Sequence, residues 1–206
     1  MTIACDNNSI RREREKTMAL DRINQLLQMD DRLFERVTHT DHIWGGQIFQ
    51  VDQLEVELSD GSSSKRDILH HHGGAGVCVI RDNKICLVKQ YRVALGRMTL
   101  EIPAGKLDPN EDPAVCAARE LTEETGLVAT ELVHIATTAG APGFNDEKTR
   151  VFAARGCYQS EATPDEGEFV DVVWVDLDEM VEAIQAGIIE DAKTVVSVLC
   201  AKAGLV

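Results

Sequence analysis

The sequence predicts an α/β fold: a sandwich with a mixed sheet, preceded by a small N-terminal antiparallel β unit and an N-terminal helix. Three observations carry this expectation. From Gly73 onward, apolar runs of strand length alternate with helical patterns. One of those helical patterns, near residues 113–124, is bounded by cap residues at both ends. Before Gly73 the pattern changes to one helical stripe followed by approximate two-residue alternation. A chain of 206 residues suffices for one domain with a smaller appended unit. The expected division is a polar tail and helix over 1–37, a β unit over 38–72 and the main domain over 73–206.

The elements follow in order. Residues 1 to about 16 are polar and read as a loose tail. From Met18 to Val37, Leu20, Ile23, Leu26, Leu27, Leu33 and Phe34 recur at helical spacing. Phe49, Val51, Leu54, Val56 and Leu58 then alternate, and "SDGS" supplies a turn. Two apolar runs flanking "RDNK" predict a hairpin within "GGAGVCVIRDNKICLVKQYR". A short strand in "MTLEIPAG" leads to the helix at 113–124. Strands are expected near 130–138, 148–156 and 169–175. Two helices, near 177–186 and 190–203, close the chain, with Gly187 between them. The run His70–His72 does not converge on a metal if it lies on a strand, because successive side chains there point to opposite faces.

Composition excludes several roles. A formal net charge of −14 opposes contact with a nucleic acid backbone, so no nucleic acid partner is expected. No apolar run approaches the length of a membrane span, and "MTIACDNNSIRREREK" lacks the apolar core of a signal peptide, so the expected compartment is the cytoplasm. The six cysteines are scattered, with no CxxC pair, and read as reduced core residues rather than zinc ligands.

The chemistry concentrates in "RELTEETGL", Arg119 to Leu127. Asp112 before Pro113 makes a good N-cap, and Gly126 fits the residue just past the helix end. Ala114, Ala117, Ala118 and Leu121 share one face, small enough for close approach to a sheet. Glu120, Glu123 and Glu124 fall on an adjoining arc of about 100°. Like charges so placed repel unless a cation occupies the space between them, and a hard divalent ion such as Mg²⁺ prefers oxygen donors of this kind.

The spacing extends further: Gly105, five residues, Glu111, seven residues, Arg119-Glu120, Leu121, one residue, Glu123-Glu124, one residue, Gly126-Leu127. In this the chain resembles the Nudix hydrolase superfamily. The resemblance implies a Nudix α/β/α sandwich whose members hydrolyse a nucleoside diphosphate linked to another moiety. It implies that Glu120 and Glu124 are the main Mg²⁺ ligands, with Mn²⁺ able to substitute, and that Glu123 acts directly or through water. Arg119 would pair with Glu111 and fix the loop. Gly105 would let the backbone turn so that the Ala104 carbonyl also faces a metal.

Flanking residues narrow the resemblance to the ADP-ribose pyrophosphatase group. Pro142 stands sixteen residues after Gly126, within "APGFNDEKTR". "KQYR", "LEIPAGKLD", "PDEGEFVDVVWV" and "KRDILHHHGG" are also similar to that group. The resemblance implies metal-activated hydrolysis of ADP-ribose to AMP and ribose 5-phosphate by a homodimer that exchanges its N-terminal β unit. Arg66 and Asp67 would reach substrate in the partner subunit, and Arg92, Lys106 and Pro142 would line the site in their own. Glu166 would be the general base and Glu168 a further metal ligand, while from composition alone their loop is an ordinary acidic surface loop. Arg66 is equally a surface salt-bridge residue. Two other readings stay open: a diphosphatase for a different nucleoside diphosphate sugar, and a sensor that binds ADP-ribose without cleaving it.

Overall fold

The computed structural model describes residues 7–164, 167 and 169–206, with side chains from Glu15 onward. Helix α1 spans Asn7–Leu26. Three strands follow, β1 (Arg36–Gly45), β2 (Phe49–Glu57) and β3 (Ser63–His71), and form one sheet in chain order. The helix expected over Met18–Val37 is therefore displaced toward the N-terminus, and residues 7–16 of the expected loose tail are helical. The reason is local. Asp30 accepts hydrogen bonds from the Arg32 backbone (3.0 Å) and from its guanidinium (2.6 Å), which bends the chain where the helix was expected to continue. The apolar stripe exerts no opposing pull, because Leu20, Ile23, Leu26 and Leu27 are exposed.

Two compact units emerge. The first comprises residues 1–41 and 53–66, the second residues 42–52 and 67–206. The second takes in the turn between β1 and β2 and the end of β3. Its sheets are built from β4 (Gly74–Cys78), β5 (Ile80–Arg81), β6 (Lys84–Arg92), β7 (Arg97–Glu101), β8 (Ala104–Lys106), β9 (Leu127–Ala129), β10 (Leu132–Ala139), β11 (Lys148–Ala154), β12 (Cys157–Gln159) and β13 (Asp171–Asp176). One mixed sheet runs β10-β11-β4-β8, with β11 parallel to β4 and the other neighbours antiparallel. A second runs β13-β6-β5, with β7 also pairing β6. The expected hairpin turns at Asp82 and Asn83, both at positive φ (50° and 60°), as a two-residue primed turn requires. The short pair β9 and β12 was not foreseen.

Helices α2 (Pro113–Thr125), α3 (Leu177–Gln185) and α4 (Ala192–Lys202) cover the sheets. Adjacent strand residues feed opposite layers, as the strand period demands. Val77, Cys86 and Phe152 pack with Cys116, Ala117 and Leu121 of α2. Cys78, Ile85, Leu87 and Val151 pack with Leu177, Met180 and Val198 of α3 and α4. The result is the expected α/β/α sandwich. The α2 face differs by one residue from expectation: Cys116 is fully buried, whereas Ala118 is exposed. The described cysteines are all free thiols, and burial pushes Cys78, Cys86 and Cys116 up to about 12. Among the described residues no helix is long and apolar enough to cross a membrane.

Candidate active site

Helix α2 organises the site. The Asp112 carboxylate accepts the backbone N–H of Ala114 (2.8 Å) and Val115 (3.4 Å), and Pro113 occupies the first turn. At the other end Gly126 takes φ 69°, and its N–H donates to the Thr122 carbonyl. These caps fix the rotation of the helix. With Ala117 and Leu121 turned into the core, the acidic arc is held beside β8.

Arg119 gathers that arc. Its Nη1 donates to Glu120 Oε1 (2.7 Å) and Glu123 Oε2 (3.0 Å), while Nε and Nη2 donate to the two oxygens of Glu111 (3.2 and 3.1 Å). Nη2 also reaches the Lys106 carbonyl (3.3 Å), tying helix to the end of β8. Hydrogen bonding to Glu111, then to Glu120 and Glu123, drives the Arg119 guanidinium far above its ordinary range. Glu111 is correspondingly held below the usual carboxylate range, with Arg119 the main cause. Glu124, buried at 2% exposure, accepts the Ala104 N–H through Oε2 at 2.9 Å.

Gly105 has a steric rather than a conformational role. Its φ is not among the positive values, so no left-handed turn requires glycine there. A β-carbon at that position would lie 1.9 Å from Glu120 Oε1 and 2.0 Å from its carboxyl carbon. Only a residue without a side chain lets the Glu120 carboxylate rest against the β8 backbone.

Glu120, Ala104, Gly105 and Lys106 line one wall of a cleft of about 560 Å³. Arg92, Lys193, His71, Glu147, Thr149, Ile48 and Gly167 also line it. Of the residues predicted for substrate, Arg92 and Lys106 are therefore in the cleft. Pro142 lines a separate pocket of about 480 Å³ with His72, Asp146, Lys148 and Arg150; His71 borders both. Arg66 makes a surface ion pair with Glu35 (2.7 Å) and donates to Ser64 Oγ (2.7 Å). Asp67 is exposed on β3. Glu166 and Glu168 lie outside the described residues; Gly167 between them borders the cleft.

Sequence reasoning missed Lys193, His71 and Glu147 as cleft residues. His71 stood in the triple histidine but was assigned to a strand edge. Its Nδ1 accepts the Gly73 N–H (2.9 Å) and lies 3.6 Å from Glu147. His70 turns away to Asp146 (2.6 Å) and Asp52 (3.4 Å). Lys193 carries no local signal, since it is one basic residue in a terminal amphipathic helix.

The donor chemistry fits a hard divalent cation: Glu111, Glu120, Glu123 and Glu124 bring four carboxylates to one region, and Arg119 pairs with the first three of them. The carboxylates are turned to Arg119 and to the Ala104 N–H. Among the described residues no three acidic, histidine or cysteine side chains are drawn together as a formed metal site.

Comparison with known proteins converges on this region. Residues 70–195 match the NUDIX domain family. The chain is 42% identical over 171 residues to a methanol dehydrogenase activator from Bacillus methanolicus, covering 81% of this chain and 92% of the relative. It is 39% identical over 165 residues to an ADP-ribose pyrophosphatase from Bacillus subtilis (strain 168), covering 79% and 89%. A solved ADP compounds hydrolase has the same fold, with a TM-score of 0.74 at 22% identity over 84% of this chain and 95% of that one.

Proposed function

As the chain belongs to the NUDIX domain family and is a Nudix hydrolase, we propose that it hydrolyses ADP-ribose to AMP and ribose 5-phosphate with Mg²⁺ as cofactor, Mn²⁺ being able to replace it. The observation that carries this reading is the gathering of carboxylates around Arg119 beside a cleft whose lining also includes three cations, Arg92, Lys106 and Lys193. A diphosphate with a bound divalent ion is complementary to both. The resemblance to an ADP-ribose pyrophosphatase at 39% identity supports the choice of substrate.

In this reading Glu120 and Glu124, with Glu123 and the Ala104 carbonyl, hold the metal, and Glu168 adds a ligand from its loop. The ion supplies Lewis-acid polarisation of the phosphoryl oxygens and water activation. The chain itself does the rest. Arg119 locks Glu111 and the loop before α2, so the glutamates keep one orientation. Arg92 and Lys106 bind phosphate oxygens; the planar fork of arginine suits that task. Glu166 takes the proton of the attacking water.

The N-terminal unit supports a homodimer in which it is exchanged. All ten residues of β1 are exposed, as are the apolar residues Ile43 and Trp44 within it. A partner subunit would cover such a strand, with Arg66 and Asp67 meeting the partner's substrate. Arg66→Ala and Glu120→Gln chains, each weak alone, are then expected to regain part of the activity when mixed and allowed to exchange. Sedimentation as a monomer at micromolar concentration would contradict the exchange.

The substrate test is a panel of nucleoside diphosphate derivatives incubated with Mg²⁺, products being separated by chromatography. ADP-ribose is expected to show the highest kcat/KM. A higher value for a nucleoside diphosphate sugar would move the assignment to that sugar on the same machinery. No turnover of any compound would favour a sensor that only binds.

A further inference from the structure

The acidic half of the cleft was visible in the sequence; the basic half has an anchor that was not. Glu101, the last residue of β7, is 3% exposed, and a carboxylate so buried must be compensated. Both of its oxygens are saturated. Oε1 accepts Arg92 Nε (2.8 Å) and Thr99 Oγ1 (2.7 Å). Oε2 accepts Arg92 Nη2 (2.8 Å) and is also in contact with Lys193 Nζ. Burial would raise the Glu101 pKa, but Arg92 and Lys193 outweigh it and bring it to about 2. The carboxylate is therefore ionised near neutral pH.

The geometry at Arg92 is informative. Its side chain is 43% exposed and borders the cleft. Glu101 takes Nε and Nη2, and among the described residues nothing takes Nη1. The guanidinium is therefore gripped along one edge while another stays available. Lys193 is held likewise, between Glu101 and Asp191 (2.9 Å), and Asp191 in turn caps α4 through the Thr194 N–H (3.0 Å). Its side chain is 14% exposed and borders the same cleft.

A long, flexible cation facing Glu120 and its neighbours has an obvious wrong destination: the glutamates themselves. An arginine loosely placed there would neutralise the acids that the metal needs. A buried anion that occupies two of its donors removes that option.

We infer that Glu101 is a positioning residue that holds Arg92 and Lys193 side by side as a diphosphate-binding edge of the cleft, and that Lys193 is a further cation for the substrate beside Arg92 and Lys106. This rests on the diphosphatase reading, though not on which nucleoside diphosphate derivative is the substrate. A plain ion pair stapling β7 to α4 would have the same static contacts, so the test must separate the two roles.

Full-length Glu101→Gln, Lys193→Met, Lys193→Arg, Arg92→Ala and Arg92→Ala/Glu101→Gln are compared with wild type on the best substrate of the panel. Glu101→Gln and Lys193→Met are each expected to raise KM about tenfold or more while kcat changes less than about threefold, the mark of lost ground-state binding. Lys193→Arg restores most of the KM. The double variant loses less than the sum of the two single changes, because Glu101 acts in part through Arg92 and in part through Lys193; contacting residues that work as a unit are non-additive. If Glu101→Gln does not fold, the pair at Lys193 decides. Calorimetric titration with ADP in Ca²⁺ reads the same loss of affinity without turnover. An unchanged KM and ADP affinity in Lys193→Met, with only Tm lowered, would overturn the inference and leave a structural staple. Hydrolysis of a sugar nucleotide in place of ADP-ribose would correct the substrate and leave this inference standing.

Discussion

Two networks border one cleft, and the ion at the centre of each has the opposite sign. Around Arg119 one guanidinium is shared among Glu111, Glu120 and Glu123, with Glu124 close by on the helix. Around Glu101 one carboxylate is shared between Arg92 and Lys193. Each network is organised by one ion, Arg119 among the carboxylates and Glu101 between the two cations, with Asp191 also pairing Lys193 (2.9 Å). Arg119 is tied to the Lys106 carbonyl at the end of β8, and Glu101 is buried at the end of β7. Carboxylates gathered on one helix suit a divalent cation, and an arginine and a lysine bordering the same cleft suit phosphate. The contrast teaches that the useful ligands of a polar site are recognised by how their own network arranges them, not by counting charges. The chain as a whole carries −14, yet the cleft is lined by both signs, Arg92, Lys106 and Lys193 with Glu120 and Glu147.

The sharpest way to break the acidic network is to remove one of its excess charges while keeping shape. Glu120→Gln or Glu124→Gln is expected to lower kcat by about 10⁴, since several kcal/mol of phosphoryl charge stabilisation depend on the cation they hold. Stability without metal changes little or rises, because repulsion on α2 is relieved. Steady-state kinetics at saturating Mg²⁺ and thermal unfolding in EDTA check the two halves. Near-wild-type turnover would remove the metal assignment.

The loop bearing Glu166 tests whether the acidic network is also the source of the general base. If the α2 glutamates are committed to metal, the proton must go elsewhere. Glu166→Gln is then expected to reduce kcat by roughly 10³ with KM nearly kept, within the range for loss of a positioned base. Glu168→Gln raises instead the Mg²⁺ concentration needed for half-maximal rate. Full activity of both variants would make the loop a surface loop only.

The steric term is smaller. In Gly105→Ala the new methyl cannot coexist with Glu120 where it stands, 1.9 Å away. Glu120 must swing off β8, and a displacement of that order costs roughly 10²-fold in rate. The Mg²⁺ requirement rises with it. An unaffected Mg²⁺ dependence would mean that the close approach of Glu120 to β8 is incidental.

Helix α2 and its acids were legible because their signals are local. Asp112, Pro113, Gly126 and the spacing of Glu120, Glu123 and Glu124 all lie within one element. The hairpin at Asp82 and Asn83 was legible for the same reason. Glu101 was not, because it sits in "MTLEIPAG", where a charged residue in a strand reads as solvent-facing. Its burial depends on Lys193, 92 residues away, and no periodicity reports such a partner. Strands β9 and β12 have three residues each, too few to show alternation. The N-terminal helix was misplaced because the stripe from Met18 to Phe34 has the right spacing but no packing to fix its ends; its members stay exposed. Gly105 was singled out by the motif for a backbone turn; the clash that a side chain there would meet at Glu120 depends on a partner fifteen residues away and gives no local signal.

The smallest expected effect sharpens the basic network and concerns acid. The Glu101 carboxyl falls from 4.5 to about 2 on folding, because Arg92 and Lys193 outweigh the burial that opposes ionisation. A carboxylate depressed in the folded state contributes stability that is complete above the unfolded pKa and is lost as pH falls toward the folded one. Wild type is therefore expected to be more stable than Glu101→Gln near neutrality, and the gap between them to close between about pH 4.5 and pH 2. The gap should amount to several degrees in Tm at its widest, as expected for a change of one or two kcal/mol in a chain of this size. Glu111, Asp146 and Asp176 are also held low, but they titrate in both proteins and cancel in the difference. Thermal unfolding across that range gives the answer. A gap that stays constant with pH would mean that the Glu101 charge stabilises nothing, and that its grip on Arg92 is a matter of shape alone.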